Sequence, residues 1–325
     1  MLPTELTRRL GIEHPIIQAG MGGGSGPELA SAVSNAGALG TLASIGRHPE
    51  DVREAVDATR RLTTRPFALN IVTFPWAPFW EQLVEVAIET RPPVVTLSFG
   101  EPLPALRRCR AAGIPVIVQV QDLAGAKAAL GARPAALIVQ GNEAGGHTGR
   151  RGTLSFAAQV LDLAGDVPVL LAGGIANGRG LAAALAMGAA GAVIGTRFKA
   201  TNEFGGPSVH KEAIVQSDGS NTLYDEIVDI ALMGRWPNQV TGRVIRNGFT
   251  DEWQGRAGEL EDAVRAAGNP RAVMAQYANR PEMQLNWAGE CSGLIDEILP
   301  AAEVVRRTVA EAEALLERVA GISVR

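Results

Sequence analysis

The chain has 325 residues, 46% of them hydrophobic and 20% charged, with a formal net charge of −4. That length and apolar fraction suit one large domain or two smaller ones around a sizeable core. The mild acidity argues against nucleic acid or an anionic membrane as the main partner, and no run reaches the ~20 apolar residues of a membrane-spanning helix. Residues 1–9 lack the apolar stretch of a secretory signal, and the two cysteines, Cys109 and Cys291, stand far apart. They form no metal-ligand or redox pair at short spacing, and a cytoplasmic protein is the expectation.

Short apolar, β-branched runs recur along the first two-thirds, alternating with helical stretches. In chain order the strands are predicted at 16–18, 38–42, 67–71, 94–98, 116–120, 136–139, 169–172 and 192–195. The helices between them fall at 27–36, 49–62, 80–90, 103–112, 123–130, 156–164 and 180–187. Several helices end on a glycine that leads into the next strand, as in Ala112-Gly113-Ile114 and Met187-Gly188-Ala189, a favoured helix stop. Nearly continuous apolar strands mean that both sheet faces are covered. Eight such units predict an α/β fold of the (β/α)8 TIM-barrel type. A doubly wound sheet is the alternative, but it would concentrate its glycines after the first strand.

The alternation breaks at Gly205-Gly206-Pro207, and the stretch to Asn286 reads as mixed helices and loops. Residues 1–205 and 287–325 are therefore expected to form the barrel, and 206–286 a smaller helical domain over its mouth. A final amphipathic helix is predicted over 301–319, with Val305, Val309, Ala312, Leu316 and Val319 on one face. Trp76, Phe79 and Trp80 lie in a proline-rich loop, where a local aromatic cluster is expected ahead of a functional role.

Functional groups of such barrels gather at the C-terminal strand ends. Here those ends carry Ala19-Gly20-Met21, Ser44, Asn70, Gln119 with Gln121, Ala172-Gly173-Gly174-Ile175 and Gly195-Thr196-Arg197-Phe198. After the sixth strand comes Gln140-Gly141-Asn142-Glu143-Ala144-Gly145-Gly146-His147. There glycines let backbone approach a ligand closely, and His147 is the side chain that exchanges protons most readily near neutral pH. Amides and bare glycines around an apolar pocket suit a planar heterocycle. The two late glycine loops suit a phosphate. Arg197 and Lys199 could neutralise it, although charges there are usually solvated or paired, and Arg150 with Arg151 reads as a solvated loop edge able to steer an anion. The four histidines, His14, His48, His147 and His210, are too scattered for a metal site.

Taken together, His14-Pro15-Ile16-Ile17-Gln18-Ala19-Gly20-Met21, the Asn70 strand, Glu143-Ala144-Gly145-Gly146-His147, Ala172-Gly173-Gly174-Ile175-Ala176-Asn177-Gly178 and Gly195-Thr196-Arg197-Phe198 resemble the nitronate monooxygenase family, formerly 2-nitropropane dioxygenases. The resemblance covers essentially the full chain. It implies an FMN-dependent TIM barrel with a small helical domain and a catalytic histidine at His147. Flavin contacts would fall on Gly20, Met21, Asn70, Gln119, Gly145, Gly173, Gly174, Gly195 and Thr196, with Ala19 and Gly146 in the same loops. In the late segment Ala288-Gly289-Glu290-Cys291, Glu290 and Cys291 depart from the family's usual amide and small residues. The implied reaction is oxidative denitrification of alkyl nitronates, or nitroalkanes, with O2 to carbonyl compounds and nitrite. The same histidine motif occurs in FMN-type enoyl-acyl-carrier-protein reductases and in NADH:quinone reductases. An NAD(P)H-dependent FMN reductase is therefore the alternative, and a non-enzymatic flavin-binding protein the third class. A homodimer is compatible with the chain.

Overall fold

The computed structural model describes residues 2–75, 77–232, 234–236 and 240–322. Trp76, singled out from the sequence, lies outside them. Eight parallel strands form one sheet: β1 (Ile16–Gln18), β2 (Gly40–Ala43), β3 (Phe67–Val72), β4 (Val94–Ser98), β5 (Val116–Val120), β6 (Ala136–Gln140), β8 (Val169–Ala172) and β9 (Gly191–Ile194). Between β6 and β8 the chain forms β7 (Gly146–Thr148), a short strand outside the barrel in the loop after β6. The order β1-β9-β8-β6-β5-β4-β3-β2 is closed by Leu39, whose N–H donates to Ile16 O while its carbonyl accepts from Gln18 N–H, both at 2.9 Å. The result is the TIM barrel expected from the sequence.

Burial follows the period-two geometry of a strand. Ile17, Ala68, Ile117, Ile138 and Leu170 point inward and form one apolar cluster. Their neighbours Ile16, Leu69, Val118, Leu137, Val139 and Leu171 join a second cluster beneath the outer helices. The helix Glu5–Leu10 belongs to the interior cluster through Leu6 and Leu10 and plugs one end of the barrel. Ile17, Ile138, Ala172 and Val193 also line a cavity at the opposite end, so the interior packing is that cavity's floor.

The predicted helix at 156–164 begins earlier, at Thr153–Leu161. Glu143 accounts for the shift: its carboxylate accepts from Thr153 N–H at 3.0 Å and from Thr153 Oγ1 at 2.6 Å, giving the first turn its acceptor from a distant loop.

The stretch after the barrel carries the helices Ser208–Val215, Gly248–Trp253 and Ala257–Ala267, and also strands β10 (Thr222–Asp225) and β11 (Thr241–Ile245). With β12 (Asn286–Trp287) and β7 these make a small antiparallel sheet centred on β11. Its apolar side, with Leu223, Val228, Val244, Phe249 and Leu260, forms a core of its own. The sequence reading of helices and loops missed this sheet because its strands are too short to establish a period. Among the described residues, no helix is long and apolar enough to cross a membrane.

Candidate active site

A cavity of about 340 Å³ lies at the C-terminal strand ends. Its walls include His147 and every residue for which a flavin contact was expected: Ala19, Gly20, Met21, Asn70, Gln119, Gly145, Gly146, Gly173, Gly174, Gly195 and Thr196; Ser44, Gln121 and Arg197, also at strand ends, lie outside it. The sequence brings them together because each lies in the C-terminal half of a parallel strand or in the loop that follows one, and parallel strands in a barrel deliver these ends to one face.

The glycines serve different ends. At Gly20 an added Cβ would fall 2.5 Å from Asn70 Cβ, so the first loop lies directly on β3. Gly173 and Gly174 adopt φ of +109° and +72°, which an L side chain would resist. At Gly146, Gly174 and Gly195 an added Cβ would meet no atom closer than 3.6 Å. These three leave open space in front of backbone, the form a ligand cradle takes.

Above the apolar floor stands a ring of amides. Gln18 Oε1 accepts from Thr41 N–H at 2.8 Å, and its Nε2 donates to Ser25 Oγ at 2.9 Å. Asn70 Nδ2 donates to Ser98 Oγ at 2.8 Å and to Thr96 Oγ1 at 3.0 Å, which fixes the amide against β4. Gln119 and Gln121 both donate to Gln140 Oε1, at 3.0 and 3.1 Å, yet only Gln119 and Gln140 reach this cavity.

His147 sits on β7, paired across from Gly242 on β11. Tyr224 OH donates to Thr148 O and Gly149 O at 3.0 Å, and Arg243 Nε donates to Asn142 O at 3.0 Å. The small sheet thus pins both ends of the histidine loop. Trp236 stacks on the imidazole, with centroids 3.8 Å apart and planes 14° from parallel. Nε2 of His147 lies 2.5 Å from Asp229 Oδ1, and the other carboxylate oxygen accepts from Thr241 Oγ1 at 2.5 Å. Asp229 is almost fully buried.

Sequence reasoning missed Asp229, although a signal was present. A carboxylate inside Ile227-Val228-Asp229-Ile230, on an apolar one-turn helix, is costly to bury without a partner. With Nε2–H donated to Asp229, a neutral imidazole keeps its acceptor lone pair on Nδ1, so the pair can hold one proton and exchange another.

Lys199 forms part of the cavity wall and is buried. Its ammonium donates to Asn286 Oδ1 at 2.7 Å and to Trp287 O at 3.0 Å, both neutral acceptors. Desolvation pushes its pKa down to about 7. Arg197 is buried as well, but its guanidinium is spent on the carbonyls of Ala200 and Glu297, each at 2.6 Å, and does not line the cavity. Cys291 reaches the wall, where burial raises its thiol to about 11 and leaves it unreactive. Glu290 pairs instead with Arg243 at 3.0 Å. Phe79 lies against His48, with ring centroids 4.5 Å apart and planes tilted by 37°, and both Phe79 and Trp80 pack on the outer core and lie outside the cavity.

Comparison with known proteins agrees with this architecture. The family model described as nitronate monooxygenase matches residues 4–77 and 72–311. A Rhodococcus jostii protein named (3aS,4S,5R,7aS)-5-hydroxy-7a-methyl-1-oxo-octahydro-1H-indene-4-carboxyl-CoA dehydrogenase is 38% identical over 307 residues, covering 94% of this chain and 80% of the relative. Among solved structures, FabK from Thermotoga maritima superposes with a TM-score of 0.87 at 32% identity, covering 99% and 100% of the two chains. A nitroalkane oxidase from Streptomyces ansochromogenes gives 0.81 at 30%, covering 95% and 98%. With a barrel, a strand-end cavity and a family match running almost from end to end, this oxidoreductase belongs to the nitronate monooxygenase family.

Proposed function

We propose that the chain is an FMN-dependent oxidoreductase acting on a carbon next to an electron-withdrawing group, with His147 and Asp229 as its proton-handling pair. The observation that carries this reading is the contact of Nε2 with a buried carboxylate at the edge of a glycine-lined cavity. The residues present fit the flavin. Gly146, Gly174 and Gly195 leave room at the backbone, Gln18, Asn70, Gln119 and Gln140 offer amides to a heteroaromatic ring, and Lys199 supplies a cation. Gly173, Gly174, Gly195 and Thr196 would hold the phosphate, by their place after the last two barrel strands. When bound, FMN would accept electrons from the substrate and pass them to dioxygen.

For an alkyl nitronate, protonated His147 would offer charge and a hydrogen bond to the nitro oxygens. For a neutral nitroalkane, the unprotonated ring would take the α-proton, with Asp229 holding it in orientation and stabilising the imidazolium. Trp236 and Trp287 beside the ring would keep water away from it. The products would be a carbonyl compound and nitrite.

The test combines the absorption spectrum of the purified protein with oxygen uptake and nitrite release on propyl-1- and propyl-2-nitronate. His147→Asn is expected to keep the flavin and lose about 10²–10⁴-fold in turnover. Asp229→Asn should lower kcat more than it raises KM, with partial rescue by Asp229→Glu. Unchanged nitrite release by His147→Asn removes the residue from the mechanism.

A second reading, supported by the similarity to a CoA dehydrogenase, is that the carbon lies beside a thioester and that NAD(P)H or an acyl thioester exchanges electrons with the flavin. Anaerobic bleaching by NADH or NADPH separates the two readings.

A further inference from the structure

A second cavity, of about 750 Å³, opens beside the first, and the two meet at Phe99 and Gln119. A short alkyl nitronate has no use for that space. The second cavity is also electrically unlike the first. Arg107, Arg150 and Arg151 line it, and none of the three makes an ion pair with a carboxylate among the described residues. Elsewhere in the chain the guanidiniums of Arg53, Arg108, Arg243, Arg256 and Arg306 are matched by glutamates, whereas Arg110 and Arg197 are spent on backbone carbonyls. Arg151 is held by neutral partners, donating to Gln159 Oε1 at 3.0 Å and lying 5.1 Å above the Phe156 ring.

Two carboxylates also line the cavity, Glu101 and Asp122. Asp122 is engaged locally, accepting from Gly125 N–H at 2.7 Å as the cap of the helix Leu123–Gly131. That helix and Pro102–Ala111 both present their N-termini to the cavity, and each adds a partial positive charge. Three unmatched guanidiniums and two helix N-termini outweigh one capping aspartate and Glu101.

We propose that this second cavity binds the adenosine diphosphate arm of an extended substrate or co-substrate, whose reactive end passes Phe99 and Gln119 into the catalytic cavity. A pyrophosphate matches the fork geometry of guanidinium groups, which bind phosphate oxygens two at a time. The prolines and alanines of the same walls offer apolar surface to the base. Acyl thioesters of coenzyme A and reduced nicotinamide dinucleotides both carry this arm. What the arm delivers rests on the oxidoreductase reading given above; its binding does not.

The test is isothermal titration of the flavin-loaded protein with ADP, coenzyme A and NADPH, with adenosine as the uncharged control. ADP should bind more tightly than adenosine, and more weakly as salt rises. The triple variant Arg107→Gln, Arg150→Gln, Arg151→Gln should weaken ADP binding by about tenfold or more. Ala128→Trp keeps all charges but fills the cavity from an exposed helical position, and should weaken it comparably. Neither variant should change flavin content. Binding of coenzyme A without NADPH assigns the arm to an acyl thioester, and the converse assigns it to a dinucleotide. Failure of ADP, coenzyme A and NADPH all to bind overturns the proposal, as does equal binding by the triple variant. Nitrite release without nucleotide binding would sink this proposal and spare the nitronate reading; nucleotide binding without nitrite release would do the reverse.

Discussion

Lys199 shows how one side chain can couple the cavity to the stability of the whole chain. Its ammonium is enclosed, its acceptors are neutral, and its pKa falls from 10.5 to about 7. The unfolded chain keeps that proton up to the ordinary lysine range, so between about pH 7 and pH 10 the unfolded state binds more protons than the folded one. Stability therefore rises with pH across this window, and below it the full cost of burying the cation is present. Lys199→Met removes the titration. In the flavin-free protein, the unfolding free energy of wild type relative to the variant should rise by about 2 kcal/mol from pH 7 to pH 9, read by urea unfolding. A difference flat with pH would show that the ammonium is hydrated. At this scale the sequence was legible where the chemistry is local. His147 announces itself by its glycine neighbours. Asp229, 82 residues later, becomes part of the site only through a tertiary contact. Lys199 looked like an ordinary junction charge because burial is invisible in one dimension.

Elements that position the histidine were harder to read than those that build the barrel. Strands β4, β5 and β8 begin and end where predicted, because a parallel strand covered on both faces is predominantly apolar and keeps its few polar residues for the end that faces the cavity. Strands β7, β10, β11 and β12 have two to five residues and mixed polarity, and they owe their existence to one another. Their pairing brings the loop after β6 against residues 288–289. An added Cβ at Gly145 would lie 2.5 Å from Ala288 C and Gly289 N, both backbone atoms with nowhere to move. Glu290 N–H donates to Glu143 O at 3.0 Å along the same seam, and Gly289 N–H donates to Thr196 Oγ1 at 2.9 Å. Gly145→Ala should therefore part this seam, costing about 1–3 kcal/mol. It should lower turnover and flavin occupancy while the far-ultraviolet circular dichroism of the barrel stays unchanged. Wild-type turnover in this variant would show that the loop tolerates displacement and that the seam does not set the position of His147.

Across the molecule, two cores meet around one cavity: the barrel supplies floor and glycine loops, and the stretch that follows it supplies Asp229 on a one-turn helix, Trp236 on a loop and the strand that pins His147. The barrel was countable from the sequence, since eight strand-helix units leave few alternatives. The way the final helix closes the structure was not, because it depends on a single close approach. Ala301–Ala320 buries Val304, Val305, Val309 and Ala312. It crosses the start of the helix Gly178–Ala186, which follows the Gly173-Gly174 loop. An added Cβ at Gly178 would lie 2.5 Å from Thr308 O, Ala312 N and Glu311 Cβ, and Gly178 N–H donates to Glu311 Oε2 at 2.8 Å. The C-terminal helix thus clamps the element that carries half of the proposed phosphate cradle. Gly178→Val should force the two helices apart, costing about 3 kcal/mol and lowering flavin retention on dialysis. Val305→Ala is the control: it removes buried methyls from the same helix at about 2 kcal/mol but leaves the Gly178–Glu311 contact in place. Equal loss of flavin in both variants would reduce the clamp to general stability. Loss in Gly178→Val alone, at matched unfolding free energies, would show that the last helix holds the cradle in shape.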